Sequence, residues 1–135
     1  MAGKTANISR RILLFGVLIL SSACTSGPPE FQSLTELDNT SSAIGPYEVV
    51  AVVVDEGIIE RVELIWRVDG GEWESRVMEE VNSTTFASSI PGQPVGSSIE
   101  YECAALDDDG EVARIPEDDA FITFAVVPTA QKVGQ

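Results

Sequence analysis

The chain contains no histidine, only two cysteines and few positive charges. Its 135 residues include 22 Asp and Glu against 8 Lys and Arg, which gives a formal net charge of -14 at pH 7. Without histidine there is no imidazole for general acid–base catalysis, for a catalytic triad or for metal binding. Such an acidic chain offers no basic patch to displace counterions from phosphates, so nucleic acid is excluded as a partner. Apolar residues make up 44%, enough for the core of one domain.

The most apolar run is too short to cross a bilayer as a mature helix. It covers residues 12–20 (ILLFGVLIL), and nine helical residues span about half of a ~30 Å hydrocarbon core. Three positively charged residues precede it: Lys4, Arg10 and Arg11. Small residues follow at positions 21–23. This order predicts a secretory signal peptide over residues 1–23.

The segment Ser21-Ser22-Ala23-Cys24 resembles the lipobox of bacterial lipoproteins. The resemblance implies a covalent lipid, palmitate included, on Cys24 and therefore attachment to a membrane of the cell envelope. The residues after Cys24 are Thr25 and Ser26, which by resemblance to the enterobacterial sorting rule favour the outer over the inner membrane. Ser21-x-Ala23 also satisfies the small-x-small rule of ordinary signal peptidase, which would leave Cys24 free and the domain secreted.

The charge is distributed unevenly along the chain. Removal of residues 1–23 removes three of the eight positive charges and no negative charge, so the remaining 112 residues carry 5 positive and 22 negative charges, a net charge of -17. An anionic lipid surface repels such a domain, and a lipid anchor would have to hold it there. We expect a short tether over 24–29, one domain over 30–128 and a C-terminal tail over 129–135.

Short alternating apolar runs separated by turn residues predict an all-β fold. Asp69-Gly70-Gly71 is a hairpin signal, because these residues tolerate positive φ. No apolar period of 3.6 residues holds for three turns, which argues against helices. About seven strands in roughly 100 residues are typical of an immunoglobulin-like β-sandwich. The predicted strands are residues 31–37, 47–54, 62–68, 73–78, 84–90, 99–105 and 121–127.

The same segments resemble bacterial extracellular Ig-like, fibronectin type III-like modules. The resemblance is carried by residues 45–47 (GPY), 62–71 (VELIWRVDGG), 86–92 (FASSIPG) and 99–107 (IEYECAALD), in that order. It implies a β-sandwich that acts as a spacer, a stabiliser or a binding module. One fold of this kind hosts many functions, so the resemblance does not identify a ligand.

Outside the acidic segments, the residues to be considered for a functional role are two tryptophans and one cysteine. Trp66 shares a strand face with Leu64 and is expected in the core, whereas Trp73 follows the hairpin turn and is a candidate partner contact. Cys103 is expected to be a small buried hydrophobe, since no neighbouring cation lowers the pKa of its thiol. If Cys24 is not lipidated, a disulfide between Cys24 and Cys103 is chemically possible in an oxidising compartment.

The densest acidic run, Asp107, Asp108 and Asp109, precedes Gly110. Clustered carboxylates supply oxygen ligands of the kind that Ca²⁺ prefers, and the second acidic segment, residues 117–119, would add more if both loops share one end of the sandwich. The alternative is ordinary turn chemistry, because Asp-Asp-Gly is a common turn sequence and the spacing matches no EF-hand.

These observations predict a non-catalytic, lipid-anchored Ig-like domain of the cell envelope that acts as a binding or structural accessory for an envelope protein or glycan. No cofactor other than the covalent lipid is expected. The first alternative is a secreted, unanchored, Ca²⁺-dependent binding domain. The second is a small hydrolase that uses two carboxylates, although no pair is singled out by the sequence.

Overall fold

The computed structural model describes residues 27–130, and these residues form nine β-strands and no helix. The predicted signal peptide, Cys24 and residues 131–135 lie outside the described residues. No helix that could span a bilayer occurs between residues 27 and 130. The strands are β1 (Glu30–Leu34), β2 (Tyr47–Val54), β3 (Ile59–Val68), β4 (Glu74–Val77), β5 (Glu79–Glu80), β6 (Thr85–Ile90), β7 (Ser98–Asp107), β8 (Val112–Ile115) and β9 (Ile122–Ala125).

The strands form two antiparallel sheets that pack face to face. One sheet has the order β1-β2-β6-β5. In the other sheet, β3 lies between β4 and β7. On its other side, β7 pairs with β9 through residues 98–101 and with β8 through residues 103–106. After β1 the chain crosses to the second sheet, where Thr40 forms an isolated parallel bridge with Val126. The predicted all-β, Ig-like sandwich is therefore confirmed.

The core follows from the two-residue period of the strands. In β2 every second residue from Tyr47 to Val53 is buried, and in β7 every second residue from Ile99 to Ala105 has no exposed surface. Trp66 is 3% exposed and Cys103 is fully buried, so both core predictions are confirmed. Since successive side chains of a strand point to opposite faces, these apolar series place one face of each sheet inside.

The structure contains two strands that the sequence pattern does not predict. β5 has two residues and β8 has four; β8 precedes β9, which lies within the predicted last strand, residues 121–127. Between them Pro116 interrupts the edge, because proline has no N–H to donate to a ladder. The predicted hairpin between β3 and β4 is confirmed, with Asp69 and Gly70 at φ of 53° and 69°.

β2 and β7 finish at the same end of the sandwich. Ile59, the first residue of β3, pairs with Asp107, the last residue of β7, and β3 follows β2 after a four-residue loop. Glu30, where the described chain enters its first strand, pairs with Val54 at this same end. We call it the tether end, because the residues that lead to Cys24 enter the domain there. The β3–β4 hairpin lies at the opposite end.

Candidate functional site

The outward face of the second sheet carries most of the described positive charge. Residues 27–130 contain four arginines and no lysine, and three of the four, Arg61, Arg67 and Arg114, lie on this face. The register explains the grouping, because β3 and β8 flank β7 and their outward positions fall side by side. We call this surface, with the carboxylates paired to these arginines and with Trp73 and Phe121, the arginine face.

Each arginine of the face pairs with a glutamate. Nε of Arg67 lies 2.6 Å from Oε1 of Glu100, which is the cross-strand neighbour of Arg67. The other pairs are Arg61 Nε to Glu63 Oε2 at 2.6 Å and Arg114 Nη1 to Glu102 Oε2 at 3.3 Å. The side chains of these pairs are between 13% and 52% exposed, and partly exposed pairs each contribute about 0–1 kcal/mol to stability, so a ligand can take over one partner at little cost.

Trp73 lies at the hairpin end of the arginine face and is 41% exposed. Its ring is 4.9 Å from the ring of Phe121 between centroids, and the Arg67 guanidinium carbon lies 4.5 Å from the Trp73 centroid. Stacking of a guanidinium on an indole is attractive and holds both side chains in place. The exposure expected for Trp73 is thus present, and its role as a partner contact stays a prediction.

Phe121 is a residue of this face that the sequence analysis missed. It was placed in the last predicted strand, whereas the structure puts it in the loop between β8 and β9, outside both strands. The rings of Phe121 and Trp73 are tilted by 43° to each other and contact across the sheet. No local pattern announces such a contact, since it depends on how β7 pairs with β3 and β9.

The acidic run at the tether end is only partly exposed. Asp107 is 1% exposed and is the last residue of β7, and its carbonyl accepts the N–H of Gly110 at 3.2 Å, so the turn is present although its first residue is buried. Its Oδ1 accepts hydrogen bonds from the backbone N–H of Asp109 at 2.9 Å and of Glu111 at 2.8 Å. One carboxylate oxygen from each of Asp107, Asp108 and Asp109 lies within 4.8 Å of the others.

Asp55 joins the same end from the opposite sheet. It comes two residues after the buried Val53, so it continues the inward series of β2, and its Oδ1 is buried. A Cβ placed on Gly57 would lie 2.9 Å from Oδ1 of Asp108 and 3.3 Å from Oδ2 of Asp55, so both carboxylates border one point. The two-residue period of β2 was the signal that could have identified Asp55.

The second acidic segment does not belong to this group. The loop containing Glu117, Asp118 and Asp119 follows Ile115, the last residue of β8. Ile115 pairs with Cys103, which lies four residues before Asp107 in β7. These three residues are not among the carboxylates that lie within 4.8 Å of one another, so they add no ligand to Asp107, Asp108 and Asp109.

The thiol of Cys103 lies in an environment that makes it unreactive. It is fully buried, and its Sγ lies 3.8 Å from Sδ of Met78. Burial raises the pKa of Cys103 to about 12, and the neighbouring Glu102 carboxylate acts in the same direction. Because the thiolate is the nucleophile, a thiol with this pKa is unreactive near neutral pH.

Comparison with known proteins supports the fold. Neither a protein-family model nor a curated protein matches the chain. Among solved structures, CopC from Methylosinus trichosporium OB3b is similar at a TM-score of 0.51 and 15% identity, covering 80% of this chain and 99% of that chain. At this identity the similarity establishes the β-sandwich fold alone.

Two further solved structures are similar at lower scores. A bromine derivative of BhCBM56 has a TM-score of 0.43 and 17% identity, over 61% of this chain and 83% of that chain. The cycloalternan-degrading enzyme from Trueperella pyogenes also has a TM-score of 0.43 and 17% identity, over 71% of this chain and 14% of that chain.

Proposed function

We propose that this protein is a non-catalytic binding domain of the cell envelope, held by a lipid on Cys24, that contacts an envelope protein or glycan through its arginine face. The observation that carries the proposal is the grouping of three of the four described arginines with the exposed Trp73 on one sheet face. Aromatic residues and arginine are the residue types most enriched at interaction surfaces, and charged rims fix orientation.

The position of the tether suits this arrangement. The described chain enters the sandwich at the tether end, whereas Trp73 lies at the hairpin end. Five residues, 25–29, lie between Cys24 and Glu30, and the six Cα–Cα steps from Cys24 to Glu30 reach about 20 Å at most when fully extended. A lipid on Cys24 would therefore keep the tether end close to the bilayer and direct Trp73 away from it.

A non-catalytic role is supported by what the candidate catalytic groups can do. The sequence has no histidine, and the buried Cys103 thiol is held in its neutral form by a raised pKa. The glutamates of the arginine face are engaged by arginine. A hydrolase with two carboxylates would instead lose all activity on glycan or ester substrates when one specific Asp or Glu is changed.

Lipidation of Cys24 is tested by analysis of the mature N-terminus. The full chain is expressed in a bacterial host, extracted from membranes and examined by intact mass and N-terminal peptide analysis, beside Cys24→Ser. We expect a diacylglyceryl modification on Cys24 and outer-membrane fractionation, and the loss of both in Cys24→Ser. A soluble product with an unmodified Cys24 would establish the secreted alternative and refute the anchor.

The binding face is tested by crosslinking in cells. A photoreactive amino acid is placed at position 73, and at position 95 as the control, because Val95 is also exposed at 49% but is not part of the arginine face. We expect a discrete crosslinked protein, or retention on isolated cell-wall glycan, from position 73 alone, and its loss in Arg67→Ala. Equal crosslinking from both positions would contradict a specific face.

A further inference from the structure

Two buried carboxylate oxygens at the tether end have no hydrogen-bond partner among the residues that the structure describes. They are Oδ2 of Asp107 and Oδ1 of Asp55. Asp107 is 1% exposed, so solvent does not reach its side chain. A buried anionic oxygen without a partner is strongly destabilising, and proteins normally match such a group with a hydrogen bond, an opposite charge or a metal ion.

The two carboxylates are carried by opposite sheets. Asp55 and Asp107 are the next inward positions after Val53 and Ala105, and both strands finish at the tether end. The second oxygen of each carboxylate already holds a loop, since Oδ2 of Asp55 accepts the N–H of Gly57 at 2.9 Å and Oδ1 of Asp107 accepts two backbone N–H groups. The unpartnered oxygens are thus held in position before any ligand arrives.

No side-chain cation of the described residues neutralises this pair. The three ion pairs of residues 27–130 join arginines to Glu63, Glu100 and Glu102, and none includes Asp55 or Asp107. Further negative charge is close by, because carboxylate oxygens of Asp108 and Asp109 lie within 4.8 Å of an oxygen of Asp107. Asp108 is tied to the β2–β3 loop, where its Oδ1 accepts the N–H of Ile58 at 3.2 Å.

We propose that the tether end binds one Ca²⁺ ion between the carboxylates of Asp107, Asp108 and Asp109, with the buried Asp107 as its inner ligand. Ca²⁺ accepts six to eight oxygen ligands in flexible geometry and takes carboxylates, carbonyls and waters together. Mg²⁺ demands a near-ideal octahedron and gives up its waters reluctantly. This site is separate from the arginine face and does not depend on the function proposed for it.

The first test is direct binding of CaCl₂ to the purified full chain. We expect one site by titration calorimetry, with a Kd of about 0.1–1 mM, the range of extracellular Ca²⁺ modules. Binding to the folded state alone would raise Tm by about 5–10 °C at ~10 mM CaCl₂, relative to NaCl of equal ionic strength. MgCl₂ should raise it less.

The second test assigns the site. Asp107→Asn keeps an oxygen for the N–H groups of Asp109 and Glu111 but removes the buried charge. Without Ca²⁺ its Tm should equal or exceed that of the parent, and with Ca²⁺ it should fall below it. Asp108→Asn changes an exposed member of the same carboxylate group, should lose most of the Tm rise with Ca²⁺, and covers the case in which Asp107→Asn does not fold. The control is the double change Asp118→Asn and Asp119→Asn, which removes the same kind of charge from exposed positions.

Three outcomes would overturn the proposal. One is the absence of a Tm rise with CaCl₂ in the parent. Another is an equal rise in the parent and in Asp107→Asn or Asp108→Asn. The third is a rise of the same size with MgCl₂ in every variant, which would mean that divalent ions merely screen the net charge of the domain.

Discussion

At the hairpin end the core is closed by the rings of Tyr47, Tyr101 and Phe124, whereas at the tether end Asp55 follows the last residue of β2 and Asp107 is the last residue of β7. The ring centroids of Tyr47 and Phe124 are 5.1 Å apart and those of Tyr101 and Phe124 are 6.1 Å apart, both edge to face. The two ends are built on the same strands and the same inward series. They differ in whether the buried groups find partners within the chain.

The aromatic end satisfies its own polar groups. The Tyr101 hydroxyl donates to the Thr35 carbonyl at 2.6 Å and accepts the Leu37 N–H at 2.9 Å. The Tyr47 hydroxyl donates to the Ser42 carbonyl at 2.7 Å and accepts the N–H of Gln93 at 3.1 Å. The carboxylate end leaves two buried oxygens unmatched. The aromatic end therefore stabilises the fold through contacts within the chain, whereas the proposed Ca²⁺ site would make the stability of the other end depend on a ligand.

The largest expected effect comes from removing the ring that joins the aromatic cluster. Phe124 is 2% exposed and contacts both tyrosine rings. Phe124→Ala should lower the free energy of unfolding by about 3–5 kcal/mol, because a cavity adds to the lost burial. Urea denaturation measures the loss, and it should be the same with and without CaCl₂.

Phe121→Ala is the matched control for that experiment, since it removes the same ring from the half-buried surface of the arginine face. Its cost should be clearly smaller than that of Phe124→Ala. Equal losses in the free energy of unfolding would mean that the aromatic end contributes no more to stability than the surface of the arginine face does. A dependence of the Phe124→Ala cost on Ca²⁺ would mean that the two ends are coupled.

Alkaline pH should weaken the core through the neutral groups buried near the aromatic end. Burial raises the pKa of Tyr101 from 10.0 to about 12, and that of Cys103 from 9.0 to about 12. Because the folded state favours the neutral forms, their contribution is fully present below the unfolded pKa values. It is lost as the pH rises from about 9–10 toward 12.

The measurement is the free energy of unfolding in urea across this range, together with the absorbance of the phenolate. Tyr101→Phe removes one titrating group at a cost of about 1–3 kcal/mol at neutral pH, since the buried Leu37 N–H loses its acceptor. Its stability should then fall less steeply above pH 10 than that of the parent. A Tyr101 that titrates near pH 10 with the fold intact would contradict the explanation.

Much of the aromatic end could be predicted from the sequence, because strands repeat every two residues. The series from Ile99 to Ala105 and the burial of Trp66 follow from that period alone. The acidic end was harder to predict, since Asp-Asp-Asp-Gly has the composition of an exposed turn and gives no sign that its first residue ends a buried strand. The burial of Asp107 depends on the sheet opposite, which local sequence does not describe.

The arginine face was beyond prediction for a related reason. Arg67 and Glu100 are separated by 33 positions and become neighbours only through the register of β3 on β7. Phe121 contacts Trp73 from the loop that precedes β9, and this contact also joins positions far apart in the sequence. Residue types can be identified one by one, whereas their grouping on a surface requires the cross-strand pairing.

The smallest effect on stability is expected at Trp73, although it is a large aromatic residue. Its ring is 41% exposed, and its contacts are with Phe121 and the guanidinium of Arg67, which keeps its pairing with Glu100. Trp73→Ala should therefore cost about 1 kcal/mol or less. Trp66→Ala, which removes the same ring from the core two strand positions away from the turn, should cost about 3–5 kcal/mol. If Trp73→Ala proves nearly as costly, the exposed tryptophan is a structural part of the hairpin end. A loss of envelope crosslinking with unchanged stability would instead identify it as a binding contact.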